Sequence, residues 1–578
     1  MKKTNKKTSL LHKLGKTIKS TKTNWLAFLL TLVHFPISLL ISNSFFTPSP
    51  EDGLAKRNEL LINILFFGML YSLYYGAIFF IRNRKKYRKQ IKICLLYFIL
   101  LIVLLVLTWP GVWRGPNDDF VIAIEAKHYS LFAWHHILTS ILYMLSFKLF
   151  PFFSGVLIIQ CLIISIITTY LYCNLQSILK ISSKIAKILL FIPFLLPPVL
   201  DYALYPLRIT LYAYFVVLLL FIMIKCVHTR QISKTDLILF CLSATLSISW
   251  RSEGLCFFLI IPVFLLYCLV KKRLQVHTAF LSFIIIVFGF LSTNFLQNAS
   301  LGPQQEHDYK VVATARLIGP LIREAAKDPT NNETLSDINK LMNINLFLDN
   351  PERASEDLFY DGGYRNSYSE EEYQNYFKAL LTLAIKYPKT VLKNSLKYLM
   401  LSTGTSTTLN NPTALTRYYD DDFYKELSER QTVTSYTPSE MADKYENAKV
   451  FLSEGGSSIQ PINSELRNTA ICLLENRNIG DYIHLTPLAV IFWNTITPMI
   501  CTTIFAIILL IRKKFMLSFI VASIFIKTAI VFITAPLALH MYYYSEYLFG
   551  YIILFAAISY ITSRYITNRH KKHQKTAP

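Results

Sequence analysis

Long runs of hydrophobic residues alternate with short polar segments along most of the chain. A membrane has a hydrocarbon core about 30 Å thick, so a helix needs roughly 20 mainly apolar residues to cross it. Twelve runs reach or approach that length. They lie at about 25–45, 60–81, 92–110, 152–174, 186–200, 207–226, 236–250, 254–271, 277–296, 487–511, 514–535 and 543–562. The pattern predicts an α-helical polytopic membrane protein with about 12 transmembrane helices.

Both tails and the short segments at 82–89, 180–184, 228–234, 271–273 and 512–514 are rich in lysine and arginine, which is typical of cytoplasmic loops. We therefore expect both termini and these loops to be cytoplasmic. The stretch 131–150 resembles a further span, but its crossing would move the basic loops between 180 and 273 to the outside. We expect it instead to be a helix at the outer membrane surface that carries His135, His136 and Lys148.

Four parts follow from this topology. Residues 297–486 form a large mixed extracytoplasmic segment, whereas the other three parts are dominated by apolar runs. The parts are 1–91 (a basic tail and two accessory transmembrane helices), 92–296 (a transmembrane core with an acidic first outer loop), 297–486, and 487–578 (C-terminal transmembrane helices and a basic cytoplasmic tail).

Within the extracytoplasmic segment, residues 380–401 show the spacing of an amphipathic helix. Their lysines recur at steps of three and four residues, which places them on one face opposite an apolar face. Such a helix suits anionic lipid headgroups at a membrane surface, and a solvated helix packed on its own domain is the alternative. The lysines are Lys386, Lys389, Lys393 and Lys397.

The formal net charge of +23 is unevenly distributed. Residues 297–486 contain 19 Lys and Arg against 26 Asp and Glu, so the positive excess lies in the tails and short loops. That distribution follows membrane topology and excludes a nucleic-acid groove. Eight of the nine cysteines lie in or beside apolar runs, and only Cys472 lies in the large polar segment. We therefore predict neither a disulfide framework nor a cysteine metal cluster.

Two adjacent carboxylates, Asp118 and Asp119, follow the apolar run that ends near Trp109-Pro110. A carboxylate beside a membrane is costly unless it is hydrated, paired or functional. The same stretch contains "GPND", which is also favourable turn chemistry, so a simple reversal of the chain is the structural alternative. We interpret the pair as candidate site residues on the outer face.

Two further clusters fall on the same predicted face. The first, "DYALYPLR", carries Asp201 and Arg208 between two spans, where an ordinary polar hairpin tip is the alternative. The second, "WRSEG", carries Arg251 and Glu253, which either neutralise each other or leave Arg251 to bind phosphate oxygens bidentately.

A fourth cluster, "HMYYYSEY" at 540–547, carries His540 and Glu546 and is also typical of a tyrosine belt at a membrane interface. The sequence contains no phosphate-binding glycine loop, zinc signature or serine-nucleophile elbow. Any chemistry is therefore expected to use carboxylates and a lipid-borne phosphate.

The order of these clusters resembles the GT-C superfamily of integral-membrane glycosyltransferases. In that family an acidic pair follows a span, as Asp118 and Asp119 do, and surface helices follow, here "FAWHHILTSILYML". A second polar outer loop and a basic residue at a later span end come next, here Asp201 to Arg208 and Arg251 in "SWRSEG". The combination "YPLR…SWRSEG…AIKYPKTVLKN" is similar to the bacterial branch that decorates cell-envelope glycans, and the resemblance covers residues 92–400.

The resemblance implies a GT-C-like bundle and a transfer reaction on the outer face of the cell membrane. A sugar would pass from a polyprenyl-phosphate-linked donor to a cell-envelope glycan acceptor, with one of Asp118 and Asp119 as the general base. Arg251, with Arg208, would stabilise the leaving phosphate. No cofactor is implied with certainty, and a divalent metal stays open. The further substrate- or phosphate-binding candidates are His135, His136, Asp201, Glu253 and His540.

Three other functions fit a basic polytopic chain. A transporter or flippase of lipid-linked sugars typically shows internal repeats and polar residues in mid-membrane. Here the ionisable residues gather near the outer ends of spans, which favours surface chemistry. A polymerase of lipid-linked glycans, and a receptor or anchor without catalysis, also stay open.

Overall fold

Ten helical segments in the part of the chain that the structure describes are long and apolar enough to cross a membrane. The computed structural model describes residues 4–48, 53–113, 116–132, 135–300, 303–349, 363–365, 368–404, 450–479, 481–535 and 539–576, and it is 83% helical. The protein is therefore a polytopic helical membrane protein. The ten segments are Lys22–Ser42, Leu54–Arg82, Arg84–Leu107, Gly155–Ile178, Ile209–Thr229, Ser252–Val270, Val276–Ser300, Pro487–Ile511, Phe515–Thr534 and His540–Arg569.

Two of the twelve hydrophobic runs form less regular elements. The run at 186–200 forms a pair of helical pieces, Lys184–Leu195 and Pro197–Ala203, bent by 53°. The second piece begins with two consecutive prolines, which cannot continue a helix because they lack the backbone N–H donor. The run at 236–250 forms the helix Lys234–Ser249, whose 16 residues are shorter than a typical span. The count of twelve transmembrane helices stays a prediction.

The other elements are short helices and one two-stranded sheet. The first span continues an α-helix that begins at Thr4 (Thr4–Ser42), and the last α-helix is Tyr544–Thr576. The strands Arg477–Asn478 and Asp481–Leu485 pair antiparallel. The short α-helices are Val121–Lys127, Ile137–Leu149, Pro303–Ala325, Asn332–Leu341, Asn345–Asp349, Glu370–Lys386, Pro388–Ser402 and Ser464–Glu475.

The helix Ile209–Thr229 is the centre of the bundle, because 16 of its 21 residues are buried. A helix that is hydrophobic on all sides needs neighbours on all sides. It packs against the helices 234–249, 544–576, 155–178 and 515–522. The polar turn at 201–208, which precedes its N-terminus, is thereby held among the ends of several other helices.

The N-terminal spans 22–42 and 54–82 lie at the periphery and pack mainly against each other. Many of their large apolar side chains are exposed in the isolated chain, which suits contact with lipid. They join the bundle through the rings of Phe46 and Tyr129, stacked at 4.3 Å, and through Asn58, whose amide donates to the Tyr129 carbonyl over 2.9 Å.

The stretch expected to be a surface helix forms the 13-residue helix Ile137–Leu149, which is too short to cross a membrane. It does not lie on an open surface, however. Lys148 is buried, with its ammonium 4.8 Å from the Phe46 ring centroid and 5.1 Å from that of Tyr129. The N-terminal spans cover this helix, so the expected lipid- or water-facing lysine is instead a buried cation over two aromatic rings.

Basic loops from distant parts of the sequence meet at one end of the bundle. The Lys89 ammonium donates to the Gln176 side chain, the Ser182 backbone N–H donates to Ser563, and the Arg273 guanidinium donates to the Cys226 carbonyl. The described parts of the loop between 108 and 136, and the loops at 201–208 and 250–253, lie at the opposite end, which we call the site end. This separation of charge follows the topology expected from the sequence, while the cytoplasmic position of the termini stays a prediction.

The first part of the large polar segment has a hydrophobic core of its own. Helices 303–325, 332–341 and 370–386 contribute most of its buried side chains, among them Ile318, Ile338 and Tyr376. The helix 370–386 begins with a capping box, in which Ser369 and Glu372 satisfy each other's backbone N–H groups. This part is therefore a small helical body placed outside the bundle.

The prediction of one continuous amphipathic helix over 380–401 is wrong. The chain forms two helices, Glu370–Lys386 and Pro388–Ser402, with Tyr387 at the break. A residue before proline is disfavoured in the helical conformation, and proline is favoured in the first turn of a new helix. Lys386 thus belongs to the first helix, where its ammonium contacts Asp328 at 3.0 Å.

The second part of the polar segment, residues 450–479, packs directly on the site end. Phe451 is fully buried and stacks on Phe120 at 4.1 Å and on Phe153 at 4.8 Å. Trp109 donates its indole N–H to the Ser458 carbonyl over 2.9 Å, and Arg467 donates to the Gly111 carbonyl over 3.2 Å. The polar segment is therefore anchored to the loop that carries the two adjacent carboxylates.

We expect Phe451→Ala to loosen this anchor and to lower the free energy of unfolding by about 3–5 kcal/mol, because it removes a buried aromatic ring and leaves a cavity. Thermal unfolding in detergent and limited proteolysis of the purified chain measure the effect. The matched control is Val450→Ala, since Val450 is the neighbouring residue and is 38% exposed. Equal stability and equal protease resistance of the two variants would contradict the role of Phe451.

Candidate functional site

The adjacent carboxylates lie in a π-helical turn, Pro116–Phe120, just before the helix Val121–Lys127. Their environments differ. The Asp118 side chain is 47% exposed, whereas Asp119 is fully buried. Neighbouring side chains on a helical turn point in different directions. The two carboxylates therefore cannot play the same role, and only Asp118 is open to an incoming molecule.

His135 is the residue that contacts Asp118. Its Nε2 lies 3.0 Å from the Asp118 Oδ1 atom, and the imidazole is buried. Burial lowers the pKa of His135, the Asp118 carboxylate opposes that shift, and the charges of Arg208 and Arg251 add to it. The net direction is downward, so the ring is neutral at pH 7 and donates to a carboxylate that only accepts.

His136 has a separate, local role. Its backbone has a φ of 65°, and its Nδ1 accepts from the Leu138 backbone N–H over 3.4 Å at the start of helix 137–149. Burial, together with the Arg208 charge, lowers the pKa of His136 to about 3. The prediction that His135 and His136 lie on this helix is wrong, because the helix begins at Ile137 and His136 caps it.

The turn that carries Asp201 and Arg208 is held by hydrogen bonds to its backbone. The Gln160 side chain donates to the carbonyls of Ala203 and Tyr205 over 3.0 and 2.7 Å. Both Asp201 and Arg208 are buried, so this turn is not the exposed hairpin tip that was the alternative. A polar residue in the apolar helix 155–178 thereby fixes a loop at the site end.

The acidic loop and this turn are joined to each other. The Val112 N–H donates to the Leu204 carbonyl over 2.9 Å, and the Tyr143 hydroxyl donates to the Pro206 carbonyl over 3.3 Å. Burial, with a smaller contribution from the Asp119 carboxylate, raises the pKa of Tyr143 well above its ordinary value. Tyr143 therefore stays a protonated donor beside Asp119 and links the two loops.

Arg251 and Glu253 form the ion pair that was one of the two sequence interpretations. Both side chains are buried, and the Arg251 guanidinium lies 5.9 Å from the Tyr212 ring and 5.4 Å from the Tyr542 ring. The adjacent Trp250 donates to the Thr139 hydroxyl over 3.0 Å, which attaches this loop to helix 137–149. The guanidinium is thus held in place by a carboxylate and two aromatic faces.

A buried pair lies next to Glu253, and sequence reasoning had identified only one of its members, Glu546. Lys527 and Glu546 are both almost fully buried, and the Lys527 Nζ atom lies 3.0 Å from the Glu546 Oε2 atom. Glu546 also accepts from Thr528 and Ser545, and Glu253 interacts electrostatically with Lys527. The available signal was that Lys527 is the one ionisable residue inside the apolar run 515–534.

His540 lies between the turn and the C-terminal spans. Its Nδ1 is 3.2 Å from the Tyr202 hydroxyl, and its Nε2 is 3.1 Å from the Thr495 hydroxyl. The rings of His540 and Tyr202 are stacked, with centroids 5.8 Å apart. His540 is buried, so it holds the turn at 201–208 against residues near 495 rather than facing solvent.

The structure therefore brings most of the predicted residues into one charged network at the site end. Asp118 contacts His135, which interacts with Arg208 and Arg251. From Arg251 the network continues to Glu253 and then to the buried pair of Lys527 and Glu546. Asp119 lies beside Tyr143. His540 contacts the turn at 201–208 through the Tyr202 hydroxyl.

A divalent metal was left open by the sequence. The described residues contain no group of three His, Cys, Asp or Glu side chains placed to hold a metal ion. The carboxylates of Asp118 and Asp119 differ in exposure, and the Asp118 oxygen already contacts His135. The described side chains at the site end therefore do not form a ligand set for a metal ion.

No family model, curated protein or solved structure matches this chain.

We expect single substitutions in the buried ion pair to be strongly destabilising. Lys527→Met leaves a buried carboxylate without its ammonium, and Glu546→Gln leaves a buried ammonium without its carboxylate. Each substitution should lower the free energy of unfolding by about 3–5 kcal/mol. The double variant should recover part of that loss, and thermal unfolding of all four chains gives the coupling. Losses that simply add in the double variant would show that the two charges do not stabilise each other.

The low pKa of His136 predicts a dependence of stability on pH. As the pH falls below about 6.5, the unfolded chain binds a proton that the folded chain excludes until about pH 3, so stability falls with pH. Between pH 6.5 and 4 the contribution is about 3 kcal/mol. His136→Asn keeps a capping acceptor and should flatten the unfolding profile over this range.

The matched control for this profile is His277→Asn, because His277 is exposed. Its unfolding profile should follow that of the unsubstituted chain. His135 shifts in the same direction as His136, so a residual slope is expected in His136→Asn. An unchanged profile in His136→Asn would contradict the assignment.

Proposed function

We propose that the chain is a membrane glycosyltransferase, which moves a sugar from a polyprenyl-phosphate-type donor to a cell-envelope acceptor on the outer face of the cell membrane. The observation that carries the proposal is that a half-exposed carboxylate, Asp118, contacts His135, which in turn interacts with two buried arginines, Arg208 and Arg251. This network offers a proton acceptor and fixed positive charge at one end of a membrane bundle. Sugar transfer from a lipid phosphate needs both.

Asp118 is the candidate base. An acceptor hydroxyl loses its proton as its oxygen bonds to the anomeric carbon, and a carboxylate within hydrogen-bonding reach takes that proton. The Asp118 side chain is open to such an acceptor, while the contact from His135 holds the carboxylate in place. Asp119 is fully buried, which supports a structural role for it beside Tyr143.

Arg208 and Arg251 are the candidates for stabilising the leaving phosphate. As the bond between the anomeric carbon and the phosphate oxygen breaks, the phosphate gains negative charge that fixed cations stabilise. Arg251 is held by Glu253, which offsets part of its positive charge, and by the rings of Tyr212 and Tyr542. A preorganised guanidinium does not have to reorient as that charge develops. If base and phosphate lie on opposite sides of the sugar, configuration at the anomeric carbon inverts.

A transporter or flippase of lipid-linked glycans is the second candidate, and one observation favours it. Lys527 and Glu546 are buried inside helices of the bundle, and ionisable residues within membrane spans often mark a substrate or ion pathway. Such a function would need Lys527 and Glu546 but not the proton acceptor Asp118. The two candidates therefore respond differently to the same substitutions.

We expect Asp118→Asn to reduce incorporation of one sugar substituent into the cell envelope by at least about 100-fold, because general-base catalysis contributes at least that much. Mass analysis of envelope glycans from the deletion strain, the unsubstituted strain and the variant measures it. The variant should reproduce the deletion while its protein level stays normal. Glu371→Gln is the matched control, since Glu371 is an exposed acid on helix 370–386, which belongs to the separate helical body.

Other outcomes separate the remaining functions. Unaltered glycans in both the deletion strain and Asp118→Asn would contradict the enzyme proposal. Loss of glycan in the deletion strain with normal glycan in Asp118→Asn favours transport. Shortened glycan chains, rather than the loss of one substituent, indicate a polymerase.

A further inference from the structure

The helix Pro388–Ser402 exposes two neighbouring rows of side chains with different chemistry. Each row repeats every four residues, and the two rows are three residues apart, so they lie side by side on one face. The apolar row is 54%, 44% and 59% exposed at its three successive positions. The lysine row is Lys389, Lys393 and Lys397, and the apolar row is Leu392, Leu396 and Met400.

The side of this helix that borders the apolar row, where Ser395 and Ser402 are buried, is fixed to the transmembrane bundle. Leu399 packs against a cluster that includes Val531 and Tyr542. Just beyond the helix, the Thr403 carbonyl accepts from the Thr495 N–H over 2.8 Å. Val531 and Thr495 lie near the site-end termini of two spans, so the helix lies at the height where those spans leave the hydrocarbon core.

The lysine row differs from Lys386 just before it. Lys386 contacts the Asp328 carboxylate at 3.0 Å and donates to the Asn331 side chain over 2.7 Å. The described ion pairs include none with Lys389, Lys393 or Lys397. Three exposed cations thus lie beside three exposed apolar side chains at the level of the membrane surface.

We propose that this face of helix 388–402 lies in the headgroup layer of the leaflet at the site end and binds anionic phospholipid. The apolar row fits the acyl boundary, and the ammonium groups of the lysine row fit the phosphates above it. The positive charge of the three lysines favours binding of anionic over zwitterionic phospholipid. The proposal does not depend on the proposed enzyme activity.

The position of the helix places this lipid contact close to the candidate site. Leu399 packs against the cluster that contains Tyr542, and the Tyr542 ring lies 5.4 Å from the Arg251 guanidinium. The side chains of this cluster therefore lie between the lipid-facing helix and the charged network.

A spin label on the full-length chain tests the membrane contact. Leu396→Cys is labelled with a nitroxide in nanodiscs of mixed phosphatidylcholine and phosphatidylglycerol, and its collisions with oxygen and with a water-soluble nickel chelate are compared. We expect oxygen to dominate at 396 and the nickel chelate to dominate at the exposed control, Glu371→Cys. The native cysteines are buried or half-buried, and labelling of the unsubstituted chain measures their background.

Lipid charge is tested by replacing the whole lysine row. With glutamine at all three positions, we expect the affinity of the chain for spin-labelled phosphatidylglycerol, relative to phosphatidylcholine, to fall by at least about fivefold, the effect of about one lysine at an anionic surface. The same variant should match the unsubstituted chain in phosphatidylcholine alone. With arginine at the three positions, the response to phosphatidylglycerol should be kept, because the charge is retained.

Two results overturn the proposal. The first is a label at 396 that is as accessible to the nickel chelate as the label at 371. The second is a relative affinity for phosphatidylglycerol that the glutamine substitutions leave unchanged. Leu392→Cys provides an independent second position on the apolar row, and size-exclusion chromatography shows which variants are folded. Neither result bears on sugar transfer, so failure here is distinct from failure of the proposed function.

Discussion

Charges inside an apolar helix bundle must be paired, because burying an isolated ionised group costs far more than a folded chain can tolerate. The site end of this protein is organised around that constraint. Lys527 and Glu546 satisfy each other, Arg251 and Glu253 do the same, and the two pairs interact. Because these residues come from distant parts of the chain, their pairing holds separate spans and loops in one arrangement.

The large polar segment completes this arrangement from outside the bundle. Its second part reaches the acidic loop through Phe451, while its first part reaches the C-terminal spans through Leu399. Both contacts are apolar and lie next to the charged network. The segment thus supports the loop that carries Asp118 from one side and the residues around Arg251 from another.

The charged groups of this network differ in solvent exposure from one end to the other. The buried end holds Lys527 and Glu546, and the exposed end holds Asp118, which is 47% accessible and contacts a neutral His135. Fixed cations behind an accessible carboxylate suit a reaction in which a hydroxyl loses a proton and a phosphate gains charge. This gradient is the physical basis for proposing surface chemistry rather than passage through the bundle.

The sequence alone determined the membrane class, most of the spans and the loops that meet at the site end, because hydrophobic run length and loop charge are local properties. The break before Pro388 could also be predicted from the sequence, because the residue before a proline is disfavoured in a helix. The regular spacing of the lysines suggested one continuous helix instead. Only the tertiary structure decided that Asp119 is buried while Asp118 is exposed, that His135 contacts Asp118, and that Lys527 pairs with Glu546. Contacts between residues far apart in the chain depend on how helices pack, and no local pattern encodes that packing.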